Sequence, residues 1–282
     1  MNPWLETAGV ALIAVLGMAV GVASRQIRRP YWILGYVLSL VLIAILLLGR
    51  STAVHFTPPF SWLVATRVRF VLIALATTLG LTTPLSRLPR AWEKVGACLL
   101  MGAVLVRFSL MPFLMPALLE DKLAQLPTTI DDNGVCLQAT RYTCGPAAAV
   151  TALLRLGLPA NEGQIAILAH ASPTVGTLPA CLSQALQKQY AAEGLRCHYR
   201  TFDSVAQLAK SGITLAVVRS ALLKDHCVTV LGVSDDAVIV ADPMTGIAAV
   251  PHEQFQAIWR FSGIVLSRSS QLSKMSGSER DA

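Results

Sequence analysis

Charge is what this sequence has little of. Charged residues fill 14% of its 282 positions and hydrophobic ones 54%, whereas an average soluble chain carries roughly 25% charged residues. That shortage excludes a soluble protein with an ordinary polar surface. It is also unevenly spread: residues 8–117 hold long apolar runs, and 120–282 read as a globular sequence of mixed charge, with the change at Leu119-Glu120-Asp121. No Cys-x-x-Cys pair occurs, so the usual zinc-ligand spacing is missing and no metal or other cofactor is called for. No Gly-x4-Gly-Lys-Ser/Thr stretch occurs either, which removes the phosphate-binding loop of an ATPase. The first apolar run lacks the basic flank of a signal peptide and further runs follow it, so it reads as a retained helix.

The formal net charge is +7, which raises the question of nucleic acid. The distribution answers against it. Arg25, Arg28 and Arg29 follow the first apolar run, and Arg87, Arg90 and Lys94 follow the third. Basic loops between apolar segments are the mark of the cytoplasmic side of a membrane protein, not of a nucleic-acid footprint. A bilayer core needs about 20 apolar residues per helix, and four segments come near that: 8–23, 31–49, 62–83 and 95–118. The third carries Arg67 and Arg69 early, so either these side chains snorkel or the helix starts later. Arg107 in the fourth reads as a helix-end or bundle-facing side chain. Residues 1–119 are thus expected to form an all-α transmembrane domain of four helices in a bacterial inner membrane. The positive-inside rule puts both termini outside the cytoplasm.

After a linker expected over 120–134, residues 135–268 alternate in a different way. Apolar spacing predicts helices from Cys144 to Leu156, from Asn161 to Ala169 and from Leu178 to Ala191. Strands are expected over 197–202, 213–219, 227–233, 237–241, 247–250 and 264–268, with short helices over 204–210 and 253–259. Helices followed by a mostly antiparallel sheet make an α+β domain. The Ser-rich tail over 269–282 is expected to be disordered.

The reactive residues lie at the ends of these elements. Cys144 opens a helix, where partial positive charge favours a thiolate. Gly145 allows close approach of a substrate backbone, and Pro146 suits a first helical turn. His226 begins one expected strand and Asp242-Pro243 ends the next, so a hairpin would set imidazole and carboxylate side by side. Gln138, six residues before Cys144, could offer its amide to an oxyanion. Taken singly, each has a plain alternative: a buried thiol, a strand-end histidine, a turn-forming aspartate. Their order and spacing favour chemistry.

Residues 135–268 resemble the C39 peptidase family, the papain-like domains that trim double-glycine leader peptides from exported bacteriocins. Gln138 through Cys144-Gly145-Pro146 matches that family's Gln-x5-Cys-Gly-Pro segment. His226 and Asp242-Pro243, sixteen residues apart, match its histidine and aspartate strands. The resemblance implies Cys144 as nucleophile, His226 as general base and acid, Asp242 as the orienting carboxylate and Gln138 as oxyanion donor. It also implies a peptide or protein substrate and leaves room for a separate exporter as partner. The family's best-known members precede the membrane segments of an ABC exporter, whereas this domain follows its own, so a stand-alone, membrane-anchored cysteine endopeptidase is expected. The alternatives are a peptide-docking module with vestigial catalysis and a transamidase on the same fold. Cys136, Cys181, Cys197 and Cys227 could form two disulfides or remain small buried thiols.

Overall fold

In the computed structural model, residues 3–24, 33–48, 60–85, 87–221 and 224–268 are described. The chain divides into two units, Met1–Leu118 and Leu119–Ala282.

Among the described residues, the apolar runs of the first unit are helical, which satisfies their backbone hydrogen bonds within each segment. Its helices are α1 (Pro3–Ala23), α2 (Ile33–Leu48), α3 (Phe60–Ala65), α4 (Val68–Leu85), α5 (Ala91–Val104) and α6 (Met111–Leu118), with a π-helical turn Leu105–Leu110 joining the last two. Small residues let these helices approach closely. A Cβ on Gly17 or Gly21 of α1 would run into the hydroxyls of Thr78 and Thr82 of α4, and one on Gly35 of α2 would meet Thr83. The threonine hydroxyls are satisfied within their own helix: Thr78 donates to the Ala74 carbonyl at 2.8 Å and Thr83 to the Leu79 carbonyl at 2.7 Å. Leu12 and Leu16 of α1, Leu38 and Leu40 of α2 and Leu99 of α5 point outward and are exposed. An apolar exterior over a small-residue interior inverts the pattern of a soluble bundle.

Four spans were expected. Among the described residues three helices are long and apolar enough to cross a membrane: Pro3–Ala23, Val68–Leu85 and Ala91–Leu118. The second segment is an apolar helix of 16 residues; its expected ends at Tyr31, Trp32 and Gly49 lie outside the described residues. The third expected segment is broken at Thr66-Arg67, between α3 and α4. Arg67 forms a partly buried ion pair with Glu6 of α1 and sits 5.3 Å from the Phe113 ring centroid. Pairing a charge costs less than leaving it alone in apolar surroundings, and the helix resumes once that need is met.

The second unit is built on a six-stranded antiparallel sheet: β3 (Leu195–Thr201), β4 (Thr214–Ala221), β5 (Lys224–Val233), β6 (Ala237–Asp242), β7 (Gly246–Pro251) and β8 (Trp259–Arg268), in the order β3-β8-β4-β5-β6-β7. Side chains alternate between its faces. On β4, Leu215 joins one apolar cluster with α8 (Cys144–Arg155) and α10 (Pro179–Tyr190), while Ala216 and Val218 join a second with α11 (Val205–Ala209) and α12 (His252–Ile258). Every residue of α8 from Gly145 to Leu153 is buried, which is why this helix is apolar all round rather than amphipathic. The Thr229 hydroxyl of β5 donates to the Ala148 carbonyl at 2.7 Å and fixes α8 on the sheet.

Residues 120–134 differ from the expected linker. They contain α7 (Glu120–Ala124) and β1 (Thr129–Ile130), which pairs with β2 (Cys136–Leu137). The acidic pair Glu120-Asp121 sits in the first helical turn, where the helix dipole favours it, and Leu123 is fully buried against Ala166 of α9 (Glu162–Leu168). The tail over 269–282 lies outside the described residues. Cys136, Cys144, Cys197 and Cys227 are free thiols.

Candidate active site

The first turn of α8 carries Cys144, and the loop before it is held tightly. Thr140 N–H donates to the Thr143 hydroxyl at 3.1 Å, and Thr143 caps the helix with its carbonyl, which accepts from Ala147 N–H at 3.0 Å. At the loop's other end Gln138 N–H donates to the Pro243 carbonyl at 2.9 Å, tying the Gln138 segment to the turn after Asp242. The Gln138 side-chain amide donates to the Thr140 carbonyl at 2.9 Å. Gln138 Oε1 is buried and has no hydrogen-bond partner.

His226 lies near the start of β5 and Asp242 at the end of β6. Thr229 faces Ala241 across the pair, so Asp242 falls diagonally across from His226 on the same face of the sheet. His226 Nε2 and Asp242 Oδ1 are 2.7 Å apart. Oδ1 also accepts from Met244 N–H at 2.8 Å, part of a tight turn completed by Gly246 at φ 86°, a conformation that favours glycine. The Cys144 side chain lies beside His226, close enough to favour the imidazolium. With Nε2 engaged on the carboxylate, Nδ1 is the ring nitrogen left for the thiol.

Burial disfavours the imidazolium of His226, but its hydrogen bond to Asp242, the adjacent Cys144 and the negative charges of both outweigh burial and raise it to about 9. Asp242 is lowered overall: burial opposes its charge, and the hydrogen bonds from His226 and Met244 N–H win. The neighbouring thiols are held protonated. Burial, then the Glu162 charge, pushes Cys136 up to about 12, and burial alone takes Cys197 to about 12. Cys227 is raised by burial first and then by Cys144 and Asp242. Cys144 is half-buried at the helix start.

The structure therefore brings Cys144, His226 and Asp242 together, as their order in the sequence suggested. It sets Gln138 in the loop leading to Cys144. Glu162 escaped the sequence reading. It is fully buried, at 0% exposure, and accepts from Ala139 N–H at 2.9 Å. In the sequence it looks like any acid in a first helical turn after a capping Asn161. Among the described residues no group of three or more His, Cys, Asp or Glu side chains could hold a metal ion.

A papain-like α+β domain with a thiol at a helix start, an imidazole and a carboxylate on adjacent strands defines the class. The chain belongs to the Peptidase C39 family, whose profile matches residues 132–273, half of its length. A protein of unassigned function from Methanothermobacter thermautotrophicus is 26% identical over 143 residues, 51% of this chain and 94% of that one. Among solved structures, a double-glycine-motif protease domain from an AMS/PCAT transporter, crystallised with its leader peptide, is 15% identical over 51% of this chain and 96% of its own, with a TM-score of 0.41. The peptidase domain of Streptococcus ComA is 20% identical over 47% and 96%, also with a TM-score of 0.41.

Proposed function

We propose that this chain is a membrane-anchored cysteine endopeptidase of C39 type that cleaves a peptide or leader sequence through Cys144, His226, Asp242 and Gln138. The observation that carries the reading is the hydrogen bond between His226 Nε2 and Asp242 Oδ1 at 2.7 Å, with Cys144 at the start of α8 beside the same ring. His226 takes the thiol proton, and the thiolate attacks the scissile carbonyl carbon. One hydrogen of the Gln138 amide is used on Thr140; the other serves the oxyanion, a contribution worth roughly 10²–10³ in turnover. The imidazolium then returns its proton to the leaving amine. A thioester remains on Cys144, and water deprotonated by His226 hydrolyses it. Asp242 holds the ring orientation and stabilises the imidazolium throughout.

Cys144→Ala is expected to abolish cleavage of a fluorogenic peptide by the full-length chain. Cleavage that persists in that variant would rule the mechanism out. The apolar helices anchor the domain in a bacterial inner membrane, and the basic residues after the first and third segments hold those loops in the cytoplasm, leaving the peptidase domain outside. Alkaline phosphatase fused after Ala282 should be active in cells. An inactive phosphatase fusion paired with a fluorescent green-protein fusion would reverse the orientation.

A further inference from the structure

A carboxyl group with no exposure needs a reason, because burying it unpaired is costly. The network around Glu162 supplies one. Oε1 accepts from Ala139 N–H at 2.9 Å; Oε2 lies 3.9 Å from the Cys136 thiol; and the nearby Thr143 side chain favours the charged form. Ala139 directly follows Gln138, and Thr143 directly precedes Cys144. The carboxyl thus holds the Gln138 end of the short loop that separates the oxyanion donor from the nucleophile, and lies near its other end. Glu162 is itself fixed: its own N–H donates to the Thr128 hydroxyl at 3.0 Å, and the next residue, Gly163, packs so tightly under the Leu123 carbonyl that a Cβ there would collide with it. Burial raises the Glu162 carboxyl above the usual carboxylate value, and Thr143, the Ala139 N–H and Cys136 offset that only in part.

The geometry points to Glu162 as a positioning residue that sets the Gln138 amide relative to the Cys144 thiol, acting through the Ala139 N–H and touching no substrate. This rests on the peptidase reading above, since it assigns Glu162 a part in forming the oxyanion site. Its chemical consequence is selective. The Cys144–His226–Asp242 set does not pass through Glu162, so thiol reactivity is left alone while stabilisation of the tetrahedral intermediate weakens.

The test is a double-mutant cycle on the full-length chain in detergent, with a fluorogenic peptide for turnover and iodoacetamide for the intrinsic reactivity of Cys144. Glu162→Asp keeps the carboxyl but withdraws it by one methylene from Ala139. It should lower kcat by about tenfold or more, within the roughly 10²–10³ that loss of the donor itself would cost, with KM and the Cys144 alkylation rate near wild type. Glu162→Gln preserves length and one acceptor, should lose less, and carries the same cycle if the shorter side chain unfolds the domain. In a Gln138→Ala background neither variant should lower kcat further, because the group being positioned is gone. An equal loss in both backgrounds, or full kcat in a folded variant, overturns the positioning role alone. Turnover that survives Cys144→Ala overturns the peptidase reading and this role with it.

Discussion

At His226 two opposing influences meet, and their balance sets the pH range of the chemistry. Burial favours the neutral ring, while Asp242 and Cys144 favour the imidazolium and raise it from 6.5 to about 9. A raised value means that the proton needed by the leaving amine is held below about pH 9 and lost above it. The kcat/KM profile for peptide cleavage should therefore fall on an alkaline limb near pH 9. Asp242→Asn removes the charge that supports the imidazolium, so that limb should move toward lower pH and turnover should drop; a limb that stays near 9 would show that Asp242 does not control the ring. The residues proposed to react were legible as candidates because each carries a local reason for its place: a thiol at a helix start, an aspartate before a proline. Glu162 was not legible, since its significance is complete burial under a loop, and no spacing in the sequence encodes that.

At the scale of elements, α7, α8, α9 and β5 decide where the thiol stands. Helix α8 is buried over nine consecutive residues and pinned to β5 through Thr229, so the Cys144 position follows the sheet. Helix α9 lies close enough to α7 that Gly163 admits no Cβ against the Leu123 carbonyl. Gly163→Ala should force the two apart and destabilise the second unit by about 1–3 kcal/mol, the usual cost of overpacking, seen as a lower midpoint in thermal melting; an unchanged midpoint would mean the contact yields freely. Most helices and strands of this unit follow apolar periods of 3.6 and 2, which is why they were readable. Residues 120–134 were not, because α7 is a single turn and a half whose one buried anchor, Leu123, gives no period to detect. The break at Thr66-Arg67 was half readable: the arginines announced a problem for a continuous helix, and the ion-pair partner Glu6 lies 61 residues away in sequence.

For the molecule as a whole, the scarcity of charge resolves into two units with opposite exteriors. The described residues of the first unit turn leucines outward and threonines and glycines inward, while the second unit buries its apolar side chains on both faces of one sheet. The proposed chemistry depends on one group, a Cys144 thiol activated by His226. The most direct measurement is therefore site-resolved alkylation of the full-length chain by iodoacetamide at pH 7, with each cysteine followed by mass spectrometry. Cys144 should react at least about tenfold faster than Cys227, whose thiol is held protonated, and His226→Ala should remove that advantage. A Cys144 that reacts no faster than Cys227, or one whose rate is unchanged in His226→Ala, would contradict an activated nucleophile and leave the domain a peptide-docking module.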